Sequence, residues 1–477
     1  MTTIANLLKI VSCRDHVDYV LIVIVLSSIL WYIWLYAKSK RQFPPLPPGP
    51  WGLPILGNLP FLKPELHTYF QGLAKKHGPI FKLWFGSKLA IVVTSSEVAR
   101  EILRTNDVVF ANHDVPAVAL INMYGGIDIV WSPYGPRWRM LRKLCVNRIL
   151  SNARMETSVD LRRGETRRTV RYLADLARAG SSVNLGEQIF LMILNVVTQM
   201  LWGTTVGEEE RELVGAEFSE LVTVMNDLLM EPNISDLFPA LSRPAQRMDR
   251  LFDRVIHQRL GMDKGSRMGE DFLEVLLTIK EEDEKANFNM NDVKALLMDM
   301  VIGSTDTSLH VIEFAMAELL NKPDIMKRAQ QELDEVVGKD KIVEESHIPK
   351  LPYILAIMKE SMRLHPVVPL LIPHRPSKTT VNPLEFDPNR FLDKSYDFNG
   401  NDFNYIPFGS GRRMCAGIAM GERVVLYNIA TLLHSFDWKL PHGETVKVEE
   451  KFGFTLKLKS PLVTTPVLRL ANTSLYL

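Results

Sequence analysis

The sequence predicts a mainly α-helical protein with small β-sheets, built as a single large domain behind an N-terminal transmembrane helix. Three observations carry this reading. Apolar residues recur at helical spacing over long stretches between Ser95 and Leu364, strand-like runs are few and short, and an uncharged apolar run from Tyr19 to Ala37 stands near the N-terminus. The expected organisation is an N-terminal luminal segment (1–18), the membrane span (19–37), a basic stop and proline-rich hinge (38–50) and a globular body (51–477).

The span comes first. About 20 apolar residues cross the roughly 30 Å hydrocarbon layer as a helix, and YVLIVIVLSSILWYIWLYA is just long enough. Trp31, Tyr32, Trp34 and Tyr36 gather towards its end, where aromatic rings favour the lipid–water boundary, and Lys38, Lys40 and Arg41 follow at once. Basic residues on that flank place the C-terminal bulk in the cytoplasm. A cleaved signal peptide fits less well, because its apolar core is shorter and ends in small residues. Pro44-Pro45-Leu46-Pro47-Pro48-Gly49-Pro50 then forms a stiff spacer, since proline fixes φ and favours an extended chain.

The body reads as helices at Ser95–Arg104, Trp138–Leu150, Val159–Arg178, Leu185–Leu201, Asp271–Glu281, Met290–Leu320, Ile325–Val337 and Ile354–Leu364. Strand-like runs at Ile80–Trp84 and Leu89–Thr94, and again at Thr455–Leu458 and Val467–Leu470, suit two small hairpins. Lysine and arginine number 56 against 55 aspartates and glutamates, a net charge of +1, so no global field points to nucleic acid. Three cysteines, Cys13, Cys145 and Cys415, are too few for a disulfide framework and fit a reducing compartment. None stands in a zinc-type cluster with histidine.

One of the three sits in an unusual setting. Phe408-Gly409-Ser410-Gly411-Arg412-Arg413-Met414-Cys415-Ala416-Gly417 runs directly into a helical pattern. Glycines at 409, 411 and 417 allow tight bends and the close approach of a flat ligand. A helix N-terminus after Cys415 favours the thiolate, and Arg413 adds positive charge suited either to the thiolate or to an acidic group on a bound ligand. The pattern F-x-x-G-x-R-x-C-x-G resembles the haem-binding signature of the cytochrome P-450 superfamily. That resemblance implies haem b held through iron by Cys415, with Phe408 and Gly417 shaping the loop. A thiolate ligand pushes electron density onto the iron and promotes O–O cleavage.

Further motifs follow the family's order. Glu360 and Arg363 form E-x-x-R on one helix face, and Phe386-Asp387-Pro388-Asn389-Arg390-Phe391 resembles F-x-P-x-R-F. By resemblance Arg390 joins Glu360 and Arg363 in a buried network behind the haem loop. Gly303-Ser304-Thr305-Asp306-Thr307-Ser308 resembles the oxygen-activating helix motif, with Ser304 where the family usually has glycine. Hydroxyls there can bond back to helix carbonyls and open the helix. The resemblance gives Thr307 a hydrogen bond to dioxygen and Asp306 a part in proton relay. Trp138 and Arg142, after Tyr134-Gly135-Pro136-Arg137, match donors to a haem propionate, as do Arg375 and Arg413. Val367, Val368, Leu370 and Leu371 would line an apolar substrate pocket, although plain core packing explains them equally well.

The style is that of plant microsomal members acting on terpenoids, phenylpropanoids or similar small apolar molecules. It implies residence at the endoplasmic reticulum membrane as a single-pass protein with a cytosolic catalytic domain. Electrons would come from NADPH through a cytochrome reductase, with O2 as co-substrate. The chain departs from the family at one place. Only PSKTTVNPLE separates Arg375 from Phe386, where members carry a strand, a hairpin and a short helix. A few tens of residues are missing near Val381-Asn382, and the early strands lose their expected partners. The alternative reading is therefore an inactive or unstable shortened isoform that binds haem poorly.

Overall fold

The computed structural model describes residues 19, 23, 25–31, 33–34, 46–53, 56–86, 88–113, 115, 119–120, 123–203, 222, 243–261, 271–282, 288–370, 386–392, 396–441 and 445–477. Arg375, Leu371 and the Val381-Asn382 junction lie outside them. Contacts divide the chain into two units, the first ending at Val98 and the second beginning at Ala99.

In the first unit, helix α1 (Leu66–His77) precedes an antiparallel pair, β1 (Ile80–Phe85) and β2 (Lys88–Val93), with Ile80 opposite Val93 and Phe85 opposite Lys88. Phe81 and Leu83 alternate inward on β1 and are fully buried, as the period of two requires. The first expected hairpin is thus present, and α1 is an element the sequence reading did not name. Of the apolar N-terminal run, the described residues are helical, and Val23, Val25, Leu26, Ile29, Leu30, Trp31, Ile33 and Trp34 are exposed.

The second unit is a helical body. Its helices are α2 (Ser96–Arg100), which opens in the first unit and continues as a wide turn over Glu101–Thr105, α3 (Pro136–Leu144), α4 (Asn152–Thr157), α5 (Val159–Ala179) and α6 (Leu185–Trp202). They are followed by α7 (Arg243–Leu260), α8 (Phe272–Glu282), α9 (Met290–Asn321), α10 (Pro323–Val336), α11 (Pro352–Leu364) and α12 (Ile418–Ser435). Proline opens α3, α10 and α11, where its fixed φ suits the first turn and its missing N–H goes unneeded.

The core is organised around α9, which packs most heavily against α6 and also against α11 and α12. Both α6 and α9 are buried on nearly all sides, which explains why their apolar residues run together rather than forming one stripe. Each buried leucine or isoleucine stabilises by roughly 1.5–3 kcal/mol, so this helix pair is the energetic centre. Among the described residues, α6 alone is long and apolar enough to cross a membrane, but 78% of it is buried, which makes it a core helix. The start of α9 is fixed by a capping box: Asn289 Oδ1 accepts from the Asp292 N–H at 3.3 Å, and Asp292 Oδ2 accepts from the Asn289 N–H at 2.8 Å. Arg137 of α3 donates through Nε to the same buried aspartate at 3.0 Å, which sets α3 against the head of α9.

The C-terminal strands depart from the expected hairpin. β6 (Lys457–Leu458) pairs with β5 (Glu450–Lys451), whereas β7 (Val463–Leu468) lies between β3 (Val183–Asn184) and β4 (Phe436–Lys439). The two runs singled out by composition therefore have different partners. Strand propensity does not contain pairing, which is set by what each strand meets in three dimensions.

Arg162 of α5 is 1% exposed; it donates to Ser158 Oγ at 2.6 Å, to the Met155 carbonyl at 2.8 Å and to Glu345 Oε2 at 2.7 Å. Breaking a buried pair by removing one partner leaves an uncompensated charge, at a cost of about 3–5 kcal/mol. Arg162→Met is therefore expected to lower the melting temperature by several degrees, measured by thermal unfolding, whereas Arg178→Met at an exposed pair should leave it nearly unchanged.

Candidate functional site

The cysteine loop is built on backbone geometry. Gly409 and Gly411 have φ of 76° and 70°, left-handed values that L side chains avoid. A Cβ on Gly411 would also fall 1.9 Å from the Leu103 carbonyl oxygen, so the loop lies directly on the wide turn after α2. Gly417 differs: its φ is −93°, and a Cβ there would sit 3.8 Å from Cys415 Sγ. A side chain there would be in ordinary contact with the sulfur, and the backbone makes no left-handed bend. The Cys415 N–H closes the loop on the Phe408 carbonyl at 3.0 Å, and the Phe408 ring meets Phe398 edge-on at 5.3 Å.

Cys415 carries accessible surface, yet burial is the largest influence on its thiol and pushes the pKa up. The Gly417 N–H, 3.3 Å from Sγ, and the Arg142 guanidinium act in the opposite direction, towards thiolate. The N–H at the head of α12 thus acts on the sulfur in the expected direction, the guanidinium that joins it is Arg142, and Arg413, turned to backbone carbonyls, fits the other role expected of it, a partner for an acidic group on a bound ligand.

Three donors expected at a haem edge come together. Arg413 lies over the Trp138 ring at 4.6 Å and Arg142 at 6.0 Å, so one indole carries two cations. Arg413 donates to the carbonyls of Ala111 (2.7 Å), Ile129 (2.9 Å) and Ser132, the Trp138 indole N–H donates to Ile129 at 2.9 Å, and Arg142 donates to Met414. These described partners are neutral. Burial first, then the neighbouring Arg142, push the Arg413 pKa down to about 10, against a pull from Asp128. Like charges held together with neutral partners form a place for an anion.

The Ile129 peptide joins this cluster to α9: its N–H donates to Asp299 Oδ2 at 2.7 Å. Asp299 and Asp128 form a buried carboxyl pair. Burial raises both, Asp128 to about 6 and Asp299 well above its usual range, and the Asp128 charge raises Asp299 further. The sequence carried no local signal for this pair, because its members lie on separate elements.

Glu360, with no exposed side-chain surface, accepts from Arg363 Nε at 2.6 Å and Nη2 at 2.8 Å, from Arg390 Nε at 3.2 Å and from the Asp387 N–H at 2.9 Å. The structure therefore brings the E-x-x-R and F-x-P-x-R-F segments onto one carboxylate.

On α9, Gly303 is exposed and Ser304 and Thr307 are half-buried, in a stretch whose other residues are buried. The expected opening of the helix is absent. It stays regular from Met290 to Asn321, with Thr305 and Thr307 donating to Val301 and Gly303 carbonyls at 2.7 Å, and Ser304 to Met300. Asp306 accepts from the Thr455 hydroxyl and lies 3.2 Å from His310, two partners the motif did not reveal. Val367 is buried, Val368 and Leu370 are half-buried, and the Val367 carbonyl receives the Leu456 N–H at 2.7 Å, which fits core packing as readily as a pocket wall.

Glu360→Gln removes the charge that two arginines share, and the expected loss is about 3–5 kcal/mol. Thermal unfolding should show it as a marked fall in melting temperature, and the rescue variant Glu360→Asp should recover little, since one carboxylate serves three partners.

Comparison with known proteins follows the same lines. The family model for cytochrome P-450 matches residues 47–381 and 381–465, breaking at Val381, where the sequence is short. Flavonoid 3'-monooxygenase CYP75B137 of Crocosmia x crocosmiiflora is 38% identical over 94% of this chain and 97% of its own length. That alignment spans 499 positions, more than the whole chain, so the relative carries residues that this chain lacks. Cytochrome P-450 93A3 of Glycine max is 34% identical over 94% and 98%, and cytochrome P-450 76C2 of Arabidopsis thaliana is 34% identical over 92% and 95%. A zebra fish cytochrome P-450 solved with progesterone has the same fold, with a TM-score of 0.71 at 20% identity over 84% of this chain and 99% of that one. The family implies a haem, and the residues fit one: an exposed cysteine in a glycine-bent turn, two guanidiniums with neutral partners and a partly exposed strip on a buried helix. The chain belongs to the cytochrome P-450 family and is an oxidoreductase of the monooxygenase type.

Proposed function

We propose that this protein is a membrane-anchored, NADPH-dependent monooxygenase acting on a small apolar plant metabolite of the phenylpropanoid, flavonoid or terpenoid kind. The observation that carries the reading is the exposed Cys415 in its glycine-bent turn, with Arg142 acting on the sulfur and Arg142 and Arg413 sharing the Trp138 ring. One oxygen atom of O2 enters the substrate, the other leaves as water, and NADPH supplies two electrons through a reductase. When bound, the haem supplies the oxygen chemistry, with the thiolate favouring O–O cleavage. Cys415 would ligate the iron, and Arg413, Arg142 and Trp138, with Arg375, would hold the propionates. Thr307 would turn its hydroxyl from the Gly303 carbonyl towards the bound oxygen, and Asp306, on the same helix, would take part in proton relay. Val367, Val368, Leu370 and Leu371 would keep water out and favour apolar substrates. The plant relatives, two of them flavonoid 3'-monooxygenases by name, support the phenolic end of this range.

Anchoring rests on the apolar run 19–37 and its basic flank; its described residues form an exposed helix of valine, leucine, isoleucine and tryptophan. The remaining division, with a luminal 1–18, a hinge at 38–50 and a catalytic body from 51, belongs to the same proposal, as does residence in the endoplasmic reticulum. Expressed in plant or yeast cells, the full chain should sediment with microsomes through alkaline washing, and a chain lacking residues 1–41 should be released to a large extent.

The break in the family match at Val381 favours a second reading, in which this shortened chain holds haem weakly. The reduced, carbon-monoxide-bound spectrum tests both. A thiolate-type band that Cys415→Ser abolishes is the expected result. Haem per chain should be lower than in a version carrying a family-length insert, and equal haem content would remove the second reading.

A further inference from the structure

Beneath Thr307, α9 carries a buried charged stripe that the reading above does not use. Asp306, His310 and Glu313 are 6%, 5% and 6% exposed and share one face at helical spacing. One Asp306 oxygen accepts from Thr455, while the other lies 3.2 Å from His310 Nε2. The other ring nitrogen, Nδ1, lies 3.4 Å from Glu313 Oε2. Glu313 presses on α6, where a Cβ on Gly186 would fall 2.5 Å from Oε1, so the glycine makes room for the carboxylate.

An imidazole placed between two buried carboxylates relieves charges that are costly to bury alone. Burial by itself pushes His310 towards the neutral form, but Asp306 and then Glu313 raise it to about 9. Burial likewise pushes Asp306 up, but His310 foremost, then Thr455 and Lys457, hold it below its ordinary value. Of the elements packed on this stretch, the β6 region supplies Lys457, α6 supplies Gly186, and α11 supplies the Ser361 hydroxyl, which donates to the Val311 carbonyl at 3.1 Å.

We propose that His310 is a positioning residue for Asp306: as an imidazolium backed by Glu313, it keeps the carboxylate ionised and turned towards Thr455. Asp306 then begins each turnover as an anion that must take up a proton before it can give one. This rests on the reading of Asp306 as part of the oxygen chemistry, but the charge state can be tested apart from it.

Infrared difference spectra of the haem-loaded full chain, with matched spectra of Asp306→Asn, report whether the carboxyl is protonated. In the wild type no protonated-carboxyl band should be assigned to Asp306 near neutral pH. His310→Gln should produce one that disappears in the His310→Gln/Asp306→Asn double variant, and His310→Lys should remove it again by restoring a cation. A His310→Gln spectrum without the band overturns the proposal, as does a band that lysine leaves unchanged. Should His310→Gln fail to fold, the wild type still decides. A raised folded-state pKa means stability complete below the unfolded value and lost as pH rises through the folded one. The wild-type melting temperature should therefore fall more steeply between about pH 6.5 and 9 than that of Asp306→Asn, and equal slopes would reject the pair. Loss of the thiolate-type spectrum would instead mark failure of the functional reading.

Discussion

One peptide group, that of Ile129, fixes the geometry on which the site depends. Its N–H is bound to Asp299 on the longest helix, and its carbonyl accepts from both Trp138 and Arg413. A carbonyl with two donors uses both lone pairs, so the peptide has no freedom to rotate without breaking contact with α9, α3 or the cysteine loop. The two guanidiniums that flank the indole are in this way referred back to the core helix, and the loop before Cys415 takes its position from the same frame.

The electrostatics follow from that placement. Positive charge gathers on the Trp138 side of the loop, where Arg142 also acts on the sulfur. Behind the loop, a single carboxylate, Glu360, gathers two more arginines and a backbone N–H. The site therefore holds cations in two ways. One group is neutralised by a buried anion and serves as structure, and the other has carbonyl partners and remains available to an acidic ligand. Burial works against ionisation throughout, which is why each charged group here sits within reach of several compensating contacts.

What could be read from the sequence was what lies close along the chain. The i,i+3 spacing of Glu360 and Arg363, the glycine-bent turn before a helix and the long apolar runs of α6 and α9 are local, and each survives in three dimensions. The pairing of β6 and β7 did not, because a strand's partner depends on tertiary meeting. Asp128 with Asp299, Thr455 with Asp306, and Gly411 against Leu103 join residues from distant segments, and no single-chain pattern announces them.

Cys145 gives the site a chemical contrast. It lies at the end of α3 with no exposed surface, and burial, followed by the nearby Asp299, pushes its thiol up to about 12. Alkylating reagents attack thiolates they can reach. Burial raises both thiols, but of the two cysteines described only the one in the glycine loop carries exposed surface. Labelling of that tryptic fragment thus becomes a footprint of whatever covers the sulfur, readable by mass alone without optical spectroscopy.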